Sequence, residues 1–132
     1  MSGGDSGSRV PRLMNRADRS HRVLIIDDRA GIREVFRDFL DLLGYAADAA
    51  VDGTEGLEML ERGDYGLVLT DLKMPGINGI DVATSVRRSR PETAVIVVSG
   101  SAVPDEVEFI RRLGFAYLQK PVILRDFTAA VA

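Results

Sequence analysis

Three acids, a serine and a lysine stand where short apolar segments of the chain end. Asp27 and Asp28 follow the first segment, and Asp71 follows a later one. Ser99 and Lys120 each close a segment nearer the C-terminus. If the segments lie side by side, three carboxylates, a hydroxyl and an amine meet at one place. Crowded carboxylates repel one another. A hard divalent cation such as Mg²⁺, which prefers oxygen ligands and often shares its site with a phosphate, would resolve that conflict.

Each of these residues also has an ordinary structural explanation. An aspartate at the end of a strand often begins a turn or caps a helix, and Ser99 alone would be an unremarkable loop residue. Lys120 could be a surface lysine that precedes a proline. The combination favours a site, because titratable groups that converge usually mark function. Lys120 could balance a phosphoryl group, and the Ser99 hydroxyl could hydrogen-bond a phosphate oxygen.

After residue 22, short continuous apolar runs alternate with segments that carry an apolar stripe at helical spacing. This alternation predicts the strands and helices that position these groups. Val23–Ile26, Leu67–Leu69 and Ala94–Val98 are continuous apolar runs, typical of strands buried on both faces. The first helix is predicted from one apolar stripe that comprises Ile32, Val35, Phe36, Phe39, Leu40 and Leu43. Five strands alternating with five helices predict a doubly wound α/β fold, with a parallel sheet and helices on both faces. In such folds, ligands lie beyond the carboxyl ends of the strands.

Local signals set several expected boundaries. Gly44 is expected in a left-handed conformation after the first helix, and Pro104 in the first turn of the fourth. Asp52 is a predicted N-cap, with Glu55 completing a capping-box spacing. The two weaker strands and the last helix are predicted at Tyr45–Ala49, Ala116–Gln119 and Ile123–Ala132.

Composition restricts the class of protein. The 132 residues are 45% hydrophobic and carry a net charge of −3, which fits one globular domain. Cysteine is absent and His21 is the single histidine, which excludes disulfides and multi-histidine metal centres. Apolar runs are too short to cross a bilayer, and the N-terminal residues lack the apolar core segment that a secretory signal needs. We therefore expect a cytoplasmic protein without membrane association.

The charge is unevenly distributed. Residues 1–22 hold five arginines against two aspartates, so the remaining 110 residues carry −6. Residues 1–20, rich in Gly, Ser and Arg, are predicted to be a flexible basic arm or a cloning-derived leader, and residues 21–132 the folded domain. The acidic domain is not expected to bind nucleic acid directly.

Four segments resemble the response-regulator receiver family of two-component signal transduction. They are Val23–Asp28, Leu67–Gly79, Val97–Gly100 and Tyr117–Pro121. The resemblance implies a flavodoxin-like (βα)5 fold with strand order 2-1-3-4-5. It also implies a phosphoacceptor domain of a phosphorelay, rather than an enzyme that turns over a separate substrate.

The resemblance assigns the chemistry residue by residue. Asp71 would accept the phosphoryl group from a histidine kinase or histidine phosphotransfer protein. Asp28 would bind Mg²⁺ directly, Asp27 mainly through water, and the main-chain carbonyl of Lys73 would complete the protein ligands.

The family pattern also implies a switch. Ser99 and Tyr117 would move together on phosphorylation, and Lys120 would pair with the phosphoryl group. The bond between Lys120 and Pro121 is typically cis in this family. The output domain or partner stays unknown, and homodimerisation is open. Arg29 departs from the family pattern, since acidic or neutral residues are more usual after the acidic pair.

Three other classes of protein fit the sequence less well. A phosphatase that forms an aspartyl phosphate normally needs a second Asp two residues after the nucleophile as general acid, and Lys73 occupies that place. A receiver-like module used only for binding would be expected to lack one of the acidic or lysine positions. A nucleotide- or flavin-binding domain would want a Gly- or Ser/Thr-rich loop after the first strand, where Asp27 and Asp28 stand instead.

Overall fold

The computed structural model describes residues 22–131, in which five strands and five helices alternate along the chain. The strands are β1 (Arg22–Ile26), β2 (Ala46–Ala50), β3 (Leu67–Asp71), β4 (Ala94–Ser99) and β5 (Ala116–Gln119). The helices are α1 (Ala30–Leu42), α2 (Gly53–Arg62), α3 (Gly79–Ser89), α4 (Pro104–Arg112) and α5 (Leu124–Val131). The predicted arm at residues 1–20 lies outside the described residues.

All five strands are parallel and form one sheet in the order β2-β1-β3-β4-β5. This confirms the predicted doubly wound sheet and its strand order. The central strands β1, β3 and β4 are almost entirely buried, as their continuous apolar sequences require. Because the order reverses at β1, the ends of β1 and β3 border the crevice where ligands bind in such folds.

Successive residues of the central strands feed two cores, one on each face of the sheet. On one face, Leu24, Val68 and Val97 belong to a cluster that buried residues of α2, α3 and α4 complete, among them Leu60, Val82, Val86 and Ile110. On the other face, the cluster joins the sheet to α1 and α5 through Phe36, Leu40, Phe127 and Val131. The stacked rings of Phe36 and Phe127, with centroids 5.4 Å apart, connect those two helices.

Most local predictions are confirmed, with a shift of one residue in β2 and at the start of α5, and two others were wrong. Gly44 has φ +87° after α1, and Pro104 begins α4. Val35 was wrongly assigned to the buried stripe: its side chain is 42% exposed, because it lies about 100° round the helix from the buried Phe36. Asp52 caps α2 through the Glu55 N–H, but the Glu55 carboxylate accepts from Val51 rather than from the cap residue itself.

Within residues 22–131, no helix is both long enough and apolar enough to span a membrane.

Candidate functional site

The sheet brings the five predicted groups to one edge. Asp27 follows β1 directly, Asp71 and Ser99 end β3 and β4, and Lys120 follows β5. One carboxylate oxygen from each of Asp27, Asp28 and Asp71 lies within 4.8 Å of the other two. Asp27 and Asp71 are buried, with 1% and 8% of their surface exposed, whereas Asp28 faces solvent. The site is therefore a small acidic recess with one accessible carboxylate at its mouth.

Lys120 lies between the two buried carboxylates. Its Nζ is 2.8 Å from Asp27 Oδ2 and 3.2 Å from Asp71 Oδ1, and its side chain is only 12% exposed. Its backbone N–H donates to the carbonyl of Ser99, which fixes the end of β5 against β4. The peptide bond to Pro121 is cis, as the family resemblance implied.

The electrostatics of the recess favour a further cation. Burial, together with the charge of Asp27, raises the pKa of the Asp71 carboxyl, while Lys120 opposes that shift. Three carboxylates and the one ammonium that pairs with them in the described part of the chain give the recess a net negative charge. One divalent cation would balance that charge, and carboxylate oxygens are the ligands that Mg²⁺ prefers. Asp27, Asp28 and Asp71 thus fit a magnesium site.

Two contacts from the start of α1 hold Asp27 in place. The Arg29 backbone N–H donates to Asp27 Oδ1 at 3.0 Å, and Arg33 Nη1 donates to the Asp27 carbonyl at 2.7 Å. The Arg29 side chain itself is exposed, so the contact does not depend on its identity. Sequence reasoning missed Arg33. The signal was its position one turn beyond Arg29, which an i to i+4 spacing places on the same side of the helix.

A glycine allows α3 to begin against the phosphoacceptor candidate. A Cβ atom on Gly79 would lie 2.2 Å from the backbone carbonyl oxygen of Asp71, which no side chain can tolerate. The Gly79 N–H donates to the Leu72 carbonyl at 2.8 Å, and Asn78 caps the helix through its side chain. The contact between Gly79 and the site was not predicted from the sequence. The Asn-Gly pair signals a turn, but the close approach of backbone to backbone is a tertiary feature.

Ser99 and Tyr117 are coupled through the main chain. The buried Ser99 Oγ accepts a hydrogen bond from the Ser101 N–H at 3.2 Å. The half-buried Tyr117 hydroxyl donates to the Ser99 carbonyl at 3.0 Å. A displacement of Ser99 would therefore act on Tyr117 directly.

Lys73 turns its side chain away from the acidic recess. Its Nζ lies 3.2 Å from Glu106 Oε1 on α4 and 3.2 Å from the Ser101 carbonyl oxygen. The position where an aspartyl-phosphate phosphatase would carry its general acid thus holds a cation that is engaged with α4.

Comparisons with known proteins agree with this geometry. A family model described as the response regulator receiver domain matches residues 23–132. An uncharacterised transcriptional regulatory protein of Bacillus subtilis, YkoG, is 31% identical over 110 residues, which are 83% of this chain and 48% of that protein. The autoinducer 1 sensor kinase/phosphatase LuxN of Vibrio campbellii is 30% identical over 81% of this chain and 13% of its own length. The chain thus spans at most about half of these two relatives.

Solved structures give the same result. A response regulator receiver protein from Pseudomonas putida has a TM-score of 0.77 at 33% identity, covering 83% of this chain and 93% of that one. The response regulator TrrA of Thermotoga maritima, solved in complex with Mg²⁺ and BeF, has a TM-score of 0.75 at 30% identity, covering 83% and 95%.

Proposed function

The chain belongs to the response regulator receiver domain family, a family of two-component phosphoacceptor domains, and we propose that Asp71 is the residue that accepts the phosphoryl group. The observation that carries this proposal is the position of Lys120, whose ammonium contacts Asp71 and Asp27 at the same time. Asp71 is at the end of the central strand β3, in the part of the fold where ligands bind.

The proposed reaction is a direct transfer. A carboxylate oxygen of Asp71 attacks the phosphorus of a phosphohistidine on a partner. The new O–P bond forms as the P–N bond breaks, and the histidine ring, protonated on its other nitrogen, leaves as the neutral side chain of the partner. Such a transfer depends on positioning and charge neutralisation more than on covalent machinery. The Lys120 ammonium would pair with one phosphoryl oxygen, and the Ser99 hydroxyl would donate a hydrogen bond to another. Tyr117 would respond through its hydrogen bond to the Ser99 carbonyl.

We assign the magnesium site to the same acids. Asp28 and Asp71 would hold Mg²⁺ directly, together with the main-chain carbonyl of Lys73. When bound, the ion supplies charge neutralisation for the transferred phosphoryl group. Asp27 already accepts from Lys120 and from the Arg29 N–H, which supports a water-mediated role for it.

The biological setting follows from the family. The phosphoryl donor would be a histidine kinase or histidine phosphotransfer protein, and one relative is itself named a sensor kinase. We infer a cytoplasmic domain, covering residues 21–132, that acts through a separate output domain or partner and that lacks turnover of a phosphate ester. Direct nucleic-acid binding is not part of the proposal, and dimerisation is left to measurement.

Mass spectrometry tests the central assignment. The protein is incubated with acetyl phosphate and Mg²⁺, and a single acid-labile phosphoryl adduct is expected. The adduct should require Mg²⁺ and should be absent from Asp71→Asn. An adduct that persists in Asp71→Asn, or none on the wild type, would exclude the assignment. Continuous release of phosphate from p-nitrophenyl phosphate would instead indicate a phosphatase.

A further inference from the structure

We propose that the ion pair between Lys73 and Glu106 is a latch that holds the Ser99 hydroxyl in its unphosphorylated position and ties the phosphoacceptor loop to α4. The proposal rests on the proposed role of Asp71. It adds a positioning function for three residues. The latch comprises Lys73, Ser101 and Glu106.

The three latch residues belong to different parts of the chain. Lys73 is two residues beyond Asp71 in the loop after β3, Ser101 follows β4, and Glu106 is in the first turn of α4. Lys73 Nζ reaches both of the others, at 3.2 Å from the Ser101 carbonyl oxygen and 3.2 Å from Glu106 Oε1. The Lys73 side chain therefore joins the loop after β3 to the loop after β4 and to the first turn of α4.

The contact with Ser101 reaches the switch hydroxyl. The same residue whose carbonyl accepts from Lys73 donates its N–H to Ser99 Oγ at 3.2 Å. If the Ser99 hydroxyl moves toward a phosphate on Asp71, the bond from Ser101 must lengthen or break. By holding Ser101, Lys73 opposes that movement.

The contact with Glu106 anchors the latch to a helix. Glu106 Oε1 also accepts from the Val103 N–H at 2.9 Å, which caps the start of α4. The carboxylate is therefore already oriented when it binds Lys73, and this reduces the entropy lost on pairing. Asp71, two residues away from Lys73, gains negative charge on phosphorylation and then competes with Glu106 for the ammonium. Release of the latch would free Ser101 and the first turn of α4 together.

Glu106→Gln is the diagnostic variant. Glutamine can keep the capping bond to Val103, since Gln serves at this capping position as well as Glu, but it removes the charge that binds Lys73. Glu108→Gln is the matched control: it removes the same charge from the same helix, and among residues 22–131 Glu108 pairs within α4, with Arg112.

The first measurement needs no phosphorylation. The exchange of the Ser101 amide hydrogen with water is followed by NMR in the unphosphorylated protein. Exchange should be about two- to fivefold faster in Glu106→Gln, the range expected from losing an exposed ion pair, and unchanged in Glu108→Gln. In a Lys73→Gln background, Glu106→Gln should add nothing, because the pair is already broken. Equal Ser101 exchange in Glu106→Gln and Glu108→Gln would overturn the latch.

The second measurement tests the link to activation. Beryllofluoride, a phosphoryl mimic, is titrated in the presence of Mg²⁺, and Glu106→Gln should bind it about two- to fivefold more tightly than wild type and Glu108→Gln. Equal affinities for the three proteins would also overturn the latch. If the wild type binds no beryllofluoride, the proposed function fails instead, and Ser101 exchange still decides whether the latch exists.

Discussion

The ammonium of Lys120 lies 3.2 Å from the carboxylate of Asp71, although 49 positions separate them in sequence. The same nitrogen is 2.8 Å from Asp27. A buried ammonium that serves two carboxylates cannot fully balance either, so the recess keeps an attraction for cations. Lys120 would therefore have two effects: it would lower the affinity of the recess for a metal ion, and it would pair with the proposed phosphoryl group on Asp71.

Replacement of Lys120 should separate these two effects. Lys120→Met keeps a long unbranched side chain but removes the charge. Mg²⁺ should therefore bind about three- to tenfold more tightly, as expected for losing one like charge a few ångströms away. The rate of phosphorylation by acetyl phosphate should fall at least about tenfold, because a group that stabilises the transferring phosphoryl is lost. Isothermal titration with Mg²⁺ and the mass-spectrometric adduct assay measure the two quantities.

Lys73→Met is the matched control for the metal measurement. Lys73 is also close to the recess in sequence, but its ammonium is paired with Glu106 and half exposed. The gain in Mg²⁺ affinity should be clearly smaller than for Lys120→Met. A similar gain for both variants would mean that the affinity responds to net charge rather than to the Lys120 contacts.

The fold and the acidic recess were largely predictable from the sequence, for a physical reason. β1, β3 and β4 are buried on both faces, so their sequences are continuous apolar runs, and the residue that ends each run must lie at the carboxyl edge of the sheet. That rule alone brought Asp27, Asp71 and Ser99 together. The β2 strand, an edge strand with the sequence AADAA, gave a weaker pattern and was misplaced by one residue.

Other parts of the site could not be predicted, because they depend on side-chain direction and backbone approach. The sequence assigned a role to the main-chain carbonyl of Lys73 and none to its ammonium, whereas the structure pairs that ammonium with Glu106, 33 residues further along the chain. The spacing of Arg33 from Arg29 indicates only a shared side of α1, and the contact of its side chain with the Asp27 carbonyl depends on the folded structure. The sequence around Gly79 indicates a turn, and only the folded structure shows that the backbone of Asp71 packs against this glycine.

Tyr45 should be more stable as phenylalanine. Among the described residues, its hydroxyl is the buried side-chain polar atom without a hydrogen-bond partner, and burial raises the pKa of that phenol. Such a group costs about 1–3 kcal/mol, so Tyr45→Phe should raise the free energy of unfolding by about 1 kcal/mol. Urea denaturation measures the change. The control, Tyr65→Phe, removes a hydroxyl that donates to Asp48 at 2.7 Å, so this substitution should lower the free energy of unfolding. Destabilisation by both substitutions would show that the Tyr45 hydroxyl has a partner.

Asp48 should make stability depend on pH in the acid range. Burial alone would raise the pKa of its carboxyl, but the hydrogen bonds from Arg22 and Tyr65, at 2.6 and 2.7 Å, outweigh burial and lower it. A lowered pKa means that the stabilisation is present above the ordinary value of about 4 and is lost as the pH falls through the folded-state pKa. Asp48→Asn should therefore cost about 1 kcal/mol at pH 7, with a smaller difference from wild type below about pH 4.

Urea denaturation between pH 7 and pH 3.5 checks this dependence. Asp126→Asn is the control, since in the described part of the chain the ion pair of Asp126 is a long, exposed contact with the adjacent Arg125. The Asp126 variant should follow the wild-type curve. A difference between Asp48→Asn and wild type that is unchanged from neutral to acid pH would contradict the prediction.

Gly79 should tolerate no side chain. A Cβ atom there would be 2.2 Å from the Asp71 carbonyl oxygen and 2.9 Å from the Leu72 Cα, both in backbone that cannot move aside cheaply. Gly79→Ala must push β3 away from α3, so we expect a loss of at least about 2 kcal/mol, within the range for overpacking. Because the displaced atoms belong to Asp71, phosphorylation should also slow, even where the variant remains folded.

Gly31→Ala, in α1, is the control: its Cβ meets nothing within 4 Å, so alanine should stabilise the helix by about 0.5–1 kcal/mol. Chemical denaturation and the acetyl phosphate assay on both variants measure these effects. Normal stability and phosphorylation of Gly79→Ala would show that β3 and α3 are not held as closely as the structure indicates.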